Sequence, residues 1–458
     1  MATDPHDPPD EPGDEAGGGH QQPGGQSNPF AGTPLEQIFG ALGGGQMPDL
    51  SQLMMQVQSM MSPTAGNVNW DLATSVARAT VARSADPTPT GSERSQVADA
   101  VTLAEHWLDE VTELPAAGAA PHAWSRAEWV EATRPTWQQL VEPIAENVVR
   151  AMSDALPAEA KAMAGPLIGL LGQAGGAMFG QQVGQALGEL ATEVVGSTDV
   201  GLPLVADGRA VLLPTNVKAF GEGLGQPHSD VLLYLALREC ASQRLFNHVP
   251  WLRGHLLGAV AEFGRGTTID VARIEAGLAD IDPTNPASLQ EALTGGLFEP
   301  ERTPAQQAAL TRLETALALV EGWVDEVVTA ATRDRMPTAV ALREAVRRRR
   351  AAGGPAEQTF ASLVGLELRP RRLRDASNLW AALRDAQGPA ARDAVWAHPD
   401  LMPGADDLDD PLGFAEREHH TGATSTDDDF DSALGRLLDR DENTADDPGG
   451  PGDPPADR

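Results

Sequence analysis

Val231-Leu-Leu-Tyr-Leu-Ala-Leu-Arg-Glu-Cys-Ala-Ser-Gln-Arg-Leu-Phe246 is an apolar stretch with helical length and spacing, and it predicts a buried helix. Four polar residues interrupt it, namely Arg238, Glu239, Ser242 and Gln243. A buried carboxylate such as that of Glu239 needs a partner inside the protein. The segment therefore predicts a core helix, and we call these four polar residues its polar step.

The chain on both sides of this helix is also mostly helical in pattern, which predicts a mainly α fold. Ser125-Arg-Ala-Glu128 is a capping box that opens a helix through Trp129, and Thr133 to Trp137 begins another helix. The remaining predicted helices lie at about 69–83, 92–112, 215–222, 229–247, 250–263, 268–279, 304–332, 338–352 and 371–387.

One segment has the pattern of β structure. Leu202-Pro-Leu-Val-Ala206 and Arg209-Ala-Val-Leu-Leu213 flank Asp207-Gly208, which is typical of a tight turn. We expect a β-hairpin here, and hence one small sheet in an otherwise helical domain.

The two ends differ in composition from the middle of the chain. Residues 1–28 are rich in Gly, Pro, Asp and Gln without any Lys or Arg, and residues 401–458 are again acidic and rich in Pro and Gly. Such segments bury too little apolar surface to offset the entropy of ordering. We expect disordered acidic tails at 1–28 and 401–458, short amphipathic helices at 29–63, a helical domain at 64–400, and an amphipathic island at 427–442.

Charge, cysteine content and hydropathy exclude several protein classes. A net charge of −33 argues against a nucleic-acid partner or an anionic membrane surface. Glycines recur every fourth residue from Gly172 to Gly188, and the interrupting glutamines favour a buried helix over a membrane span. The single cysteine, Cys240, and the absence of a visible signal peptide lead us to expect a cytoplasmic protein.

The polar step can be compared with the metal-binding motif H-E-x-x-H. There, two histidines four residues apart bind one zinc ion, and the glutamate between them activates the metal-bound water. Here Arg238 and Ser242 stand where the histidines would be, while Glu239 keeps the position of the glutamate. Arginine presents only donors and stays cationic, so we expect no zinc bound in the usual way.

Several separated blocks of the chain, over about residues 30–415, resemble the zincin-like metallopeptidase type 2 family, hydrolases and zinc-dependent metalloproteases of GC-rich bacteria. These blocks are Leu237 to Phe246, His248-Val-Pro-Trp-Leu-Arg253, Glu321-Gly-Trp-Val-Asp325, Gly354-Pro-Ala-Glu-Gln-Thr-Phe360 and Val364-Gly-Leu-Glu-Leu-Arg-Pro370. The resemblance implies a helical zincin-like domain.

The resemblance also assigns roles, residue by residue. In the peptidase-like branch the second block resembles E-G-H-A-D, so Trp323 stands at a ligand histidine, and Glu321 and Asp325 match acidic positions. Glu239 matches the catalytic base; its alternative is a structural ion pair with Arg238 or with an arginine of a neighbouring helix. The candidate residues of this degenerate pocket are Arg238, Ser242, His248, Glu321 and Asp325.

Simple structural explanations are available for three further features, namely His248, Cys240 and a run of arginines. On a continued helix His248 would lie about 80° from Arg238, which is awkward for shared metal coordination. Cys240, between apolar neighbours, has the pattern of a small core residue. The arginines at 343 and 347–350 form the one basic run, which favours a solvated face or an intramolecular role over nucleic-acid binding.

Two functions follow. The first is a family homologue, degenerate in zinc binding, that acts as a non-catalytic binding or scaffold protein with a protein or peptide partner and no cofactor. The alternative is an active metal-dependent hydrolase that uses Glu239 as general base and holds zinc at an unusual site. The sequence gives no indication of oligomeric state.

Overall fold

The computed structural model describes residues 66–154, 165–205, 208–265, 303–352, 359, 361, 363 and 372–424. Within these ranges the chain is mainly helical with one two-stranded sheet, so the predicted fold class is confirmed. Residues 1–28, the helices expected at 29–63 and 268–279, and the island at 427–442 lie outside the described residues.

The helices fall close to the predicted segments. They are α1 (Trp70–Val81), α2 (Gly91–Leu108), α3 (Arg126–Asp154), α4 (Gly165–Ala191), α5 (Pro214–Gly221), α6 (His228–His248), α7 (Pro250–Arg265), α8 (Pro304–Thr332), α9 (Ala339–Ala351), α10 (Leu373–Gln387), α11 (Pro389–Ala394) and α12 (Pro411–Thr424). Two short 3-10 turns, Val395–Ala397 and Pro399–Leu401, connect α11 to the last part of the described chain.

Several helices begin at side chains that satisfy the first free backbone N–H groups. The predicted capping box forms: the Glu128 N–H donates to Ser125 Oγ (3.2 Å), and the Ser125 N–H donates to Glu128 Oε2 (2.7 Å). Equivalent boxes begin α2 at Thr90 and α8 at Thr303.

Helix α3 is longer than the sequence suggested. It runs unbroken through Pro135 and Pro143, where two shorter helices were expected around Thr133. Each proline removes one hydrogen bond from the helix. The continuous apolar face, with Trp129 and Trp137 fully buried, explains why the helix persists.

The small sheet is present, but its pairing differs from the expected hairpin. Strand β1 (His122–Ala123) pairs in parallel with β2 (Val211–Leu212), and Gly196 forms an isolated antiparallel bridge with Leu212. The segment around Leu202 and Leu204 is buried but turns on itself, since the Leu204 N–H donates to the Leu202 carbonyl. The apolar pattern therefore indicated the burial of Leu202 and Leu204. The strand that pairs with β2 is β1, which lies in a distant part of the chain.

The glycine ridge of α4 packs against α1, as expected for a buried helix pair. A Cβ on Gly184 would lie 2.4 Å from the Ala73 carbonyl oxygen, and one on Gly180 would lie 2.5 Å from that of Asn69. Only glycine permits so close an approach of the two backbones. Among the helices that the structure describes, none has the length and apolar character needed to cross a membrane.

Helix α6 is the central element for the site. Its residues from Val231 to Leu245 are buried apart from the half-buried Leu233, and it contacts α2, α5, α7, α8, α9 and β2. The polar step of the sequence is thus enclosed by helices on several sides.

The packed structure continues past residue 400, where the acidic tail was expected to begin. Leu408 and Phe414 are buried, and α12 contacts α10. These few apolar side chains suffice to anchor an acidic segment whose average composition is that of a tail.

Candidate functional site

The polar step of α6 is buried. Arg238, Glu239, Ser242 and Gln243 are all at least nine-tenths inaccessible to solvent. Buried polar groups are costly unless they are hydrogen-bonded, so the partners of these four residues define the chemistry of the site.

The Glu239 carboxylate accepts hydrogen bonds from the loop that follows α4. Ser197 Oγ donates to Oε1 (2.5 Å), while the Thr198 hydroxyl and N–H donate to Oε2 (2.7 and 3.1 Å). Gln243 Nε2 adds a bond to Oε1 (3.1 Å). Among the described residues, Glu239 pairs neither with Arg238 nor with an arginine of a neighbouring helix, so the ion pair suggested as its structural role is not found: both carboxylate oxygens accept from uncharged donors.

This arrangement depends on a close approach of the loop. A Cβ on Gly196 would lie 2.5 Å from Glu239 Oε2, so a side chain there would displace the carboxylate. Burial raises the pKa of Glu239, against the opposing effect of its hydrogen bonds from Ser197, Thr198 and Gln243.

Arg238 instead pairs with Glu321 of α8. Its Nη2 lies 2.7 Å from Glu321 Oε2, and Arg350 Nη2 of α9 lies 2.8 Å from Glu321 Oε1. Glu321 is thus held between two guanidinium groups. Burial opposes the charge of Arg238, but Glu321, together with Tyr234, Asp325 and Asp199, outweighs this effect, and the pKa of Arg238 is raised.

Asp199, in the loop after α4, binds two arginines of α9. Arg349 Nη1 donates to Asp199 Oδ2 (2.9 Å), and Arg350 Nη2 donates to the Asp199 carbonyl (3.0 Å). Burial would raise the pKa of Asp199, but Arg349 and Arg350 lower it on balance.

Asp325 has its own set of partners, one helical turn from Glu321. Arg343 donates through Nε and Nη2, Arg347 through Nη2 (2.7 Å), and Ser377 through Oγ (2.8 Å). Burial would raise the pKa of Asp325, yet these arginines lower it to about 2.

A cavity of about 20 Å³ lies between these groups, with room for about one water molecule. Including the part open to solvent, the space is about 370 Å³. Its charged and polar lining consists of Thr198, Asp199, Arg238, Glu239, Ser242, Glu321, Arg349 and Arg350.

The structure brings together four of the residues that the sequence singled out. Arg238, Glu239, Ser242 and Glu321 all line the cavity, whereas Asp325 lies beside it in the arginine cluster. His248 is exposed at the C-terminal end of α6, away from the cavity lining.

Trp323, at the position of the later ligand histidine, lies outside the cavity lining. Its Nε1 donates to Asp393 (2.9 Å), and its ring lies under Arg392. Residues two apart on a helix point about 200° apart, so Trp323 and Glu321 face different neighbours. Cys240 is buried in the core, and burial raises its pKa well above the usual value.

Sequence reasoning missed the loop residues and did not find the partners of the basic run. Ser197, Thr198 and Asp199 follow α4 without any periodic pattern. The arginines at 343, 347, 349 and 350 do have an intramolecular role, because they pair with the buried or half-buried carboxylates of Asp325, Asp199 and Glu321. Arg348 differs, since it is 69% exposed and pairs with the exposed Glu344.

The donor set does not fit a zinc ion. Glu239 is saturated by neutral donors, and Glu321 and Asp325 are each bound by two arginines. Within the part of the chain that the structure describes, no group of three or more His, Cys, Asp or Glu residues has an arrangement that could hold a metal ion.

Comparison with known proteins gives two findings. A family model described as zincin-like metallopeptidase matches residues 68–415. A crystal structure of a candidate hydrolase with a novel fold from Chloroflexus aurantiacus matches with a TM-score of 0.55 and 20% identity, covering 76% of this chain and 98% of that one. At this identity the likeness concerns the fold alone. No curated protein matches the sequence.

Proposed function

The chain belongs to the zincin-like metallopeptidase family, and from that premise we propose that it is a member without a catalytic zinc site that works as a non-catalytic binding protein. The cavity beside α6 is then a binding site for a protein or peptide partner. In this view the family fold is kept while the metal chemistry is not.

The observation that carries the proposal is the Arg238–Glu321–Arg350 arrangement. A guanidinium stands at the first ligand position and is fixed there by a buried carboxylate, with 2.7 Å between Arg238 Nη2 and Glu321 Oε2. Arginine does not deprotonate in proteins, so it cannot become a ligand. A divalent cation 4 Å from this group would meet a repulsion of roughly 8 kcal/mol at an effective dielectric constant of 20.

The hydrogen bonds of Glu239 also support a structural role. A general base needs a free lone pair directed at the water it activates. Here Ser197, Thr198 and Gln243 all donate to the carboxylate, and they hold it against the loop after α4.

A second function is favoured by one specific feature, the raised pKa of Glu239 next to a cavity with room for a water molecule. Raised carboxylate pKa values are common among general bases. The second candidate is therefore a hydrolase that uses Glu239 to activate water, with a metal held by groups other than the usual histidines.

Metal analysis of the purified full chain, together with peptide-hydrolysis assays, separates the two functions. We expect zinc far below one ion per chain and a melting temperature that chelator does not change, since no metal contributes to folding. The rate of peptide hydrolysis should be the same for the wild-type protein, for a Glu239→Gln variant and for the exposed control Glu344→Gln.

Zinc near one ion per chain would overturn the proposal. So would a hydrolytic activity that Glu239→Gln abolishes and Glu344→Gln retains.

A further inference from the structure

Ser242 is a largely buried residue whose hydroxyl keeps some access to the cavity. It is 6% exposed, lines the cavity, and makes no hydrogen bond with any residue of the described ranges. A serine on a helix usually bonds to a carbonyl of the preceding turn or to another side chain when it is buried. The hydroxyl of Ser242 is therefore free to donate to a ligand or a water molecule in the cavity.

The acceptors around this cavity are already in use. The oxygens of Glu239 receive bonds from Ser197 and Thr198, and those of Glu321 face Arg238 and Arg350. What the cavity still offers is donors, so the group that complements it must bring acceptor oxygens.

Arg350 is the strongest of these donors. Its contacts with Glu321 and with the Asp199 carbonyl are all made by Nη2, which leaves Nε and Nη1 without a bond to the described residues. Its side chain keeps 17% exposure and lines the cavity. A guanidinium can bind a carboxylate through two nitrogens at once.

The pKa of Arg350 indicates that its charge is not fully compensated by the described neighbours. Burial lowers the pKa of Arg350, and Glu321 and Asp199 do not fully restore it. Arg238 and Arg349 act in the same direction as burial, because they are like charges nearby. A further negative group would relieve this deficit.

From these observations we propose that the cavity binds the carboxylate end of a peptide or small acid, with Arg350 and Ser242 as its donors. This inference rests on the proposed function, because it takes the arginine-lined cavity as a binding site in place of a metal centre. The enclosed space of about 20 Å³ has room for about one carboxylate oxygen, and the rest of the ligand lies in the outer, open part.

The test is binding of N-acetylalanine to the full chain, measured by ligand-observed NMR titration, with N-acetylalaninamide as the uncharged control. The two compounds differ only in carboxylate against carboxamide. We expect the acid to bind and the amide to bind at least about tenfold more weakly, as for the loss of a charge-assisted hydrogen bond.

Three variants locate the site. Arg350→Gln should weaken binding of the acid about tenfold or more, and Ser242→Ala, which removes only the hydroxyl, should weaken it by a few-fold. Arg348→Gln removes the same charge from an exposed position on the same helix and should leave binding unchanged. Thermal melts establish that each variant is folded; if Arg350→Gln is not, Ser242→Ala decides.

Equal affinity for acid and amide, no binding of either, or equal losses in Arg348→Gln and Ser242→Ala would each overturn the inference. These failures are distinct from failure of the proposed function. If the protein holds about one zinc ion per chain and still binds N-acetylalanine, only the proposed function is refuted. If it holds no zinc and does not bind N-acetylalanine, only the carboxylate-binding inference is refuted.

Discussion

Replacing Asp325 with asparagine should make the free energy of unfolding less dependent on pH in the acidic range. Asp325 is 2% exposed and is bound by Arg343, Arg347 and Ser377. Its pKa is about 2 in the folded protein against 3.8 ordinarily. At 1.36 kcal/mol for each pKa unit, its ionised form contributes about 2 kcal/mol to the free energy of unfolding.

The sign follows from the direction of the shift. A carboxylate with a lowered folded pKa stabilises the fold at any pH above 3.8 and loses this contribution as the pH falls towards 2. About half of it, roughly 1 kcal/mol, is already lost at pH 3. Asp325→Asn should therefore cost about 2 kcal/mol or more at pH 7, and this cost should shrink by roughly 1 kcal/mol between pH 5 and pH 3.

Urea denaturation of wild type and variant at pH 7, 5, 4 and 3 measures this difference. The matched control is Asp71→Asn, because Asp71 pairs with Arg134 while remaining 90% exposed. Such surface pairs contribute about 0–1 kcal/mol, so this variant should stay close to wild type at every pH. A cost for Asp325→Asn that is constant from pH 5 to pH 3, or no larger than that of the control, would refute the reasoning.

Three further outcomes follow from the packing. Gly184→Ala should lower the free energy of unfolding by about 1–3 kcal/mol, because its Cβ meets the Ala73 carbonyl. Gly254→Ala has open space around it and should raise the free energy of unfolding by about 0.5–1 kcal/mol. Thermal melts that rank the two variants the other way would contradict this. Cys240 should react with a thiol reagent only after denaturant is added, since burial raises its pKa and blocks access; rapid labelling of the folded protein would contradict it. Ser125→Ala should cost about 1 kcal/mol in a urea melt through loss of the α3 cap, and an unchanged midpoint would show that the cap is not needed.

The sequence was informative where side chains repeat with a helical period. The helix from Val231 to Phe246 and its polar step are found as predicted, because apolar spacing reports burial directly. The spacing of the basic run also indicates a common direction for three of its arginines. Positions 343, 347 and 350 follow i, i+4, i+7 and share one helix face. That face meets Asp325 and Glu321, while Arg348 points to solvent.

Charge partners were harder to predict, for a geometric reason. Adjacent residues on a helix point in different directions, so Arg238 and Glu239 can face different neighbours although they are next to each other in the sequence. Each takes a partner from a distant segment, Glu321 and the Ser197–Thr198 loop respectively. No local pattern marks that loop, and the β2 strand near it likewise found its partner 88 or more residues away.

Under the proposed function, the buried charges also imply that a single substitution would not create a zinc site. Breaking a buried ion pair by removing one partner is costly, because the other charge stays buried without compensation. Arg238→His would leave Glu321 with Arg350 alone and would still face the Arg349 and Arg350 side chains across a cavity of about 20 Å³. A metal would have to compete with these fixed cations for Glu321, and it would find Glu239 already bound to Ser197 and Thr198. Glu321 and Asp325 of α8 are held by Arg343, Arg347 and Arg350 of α9. We therefore expect that a change towards metal binding would need substitutions in both α6 and α9.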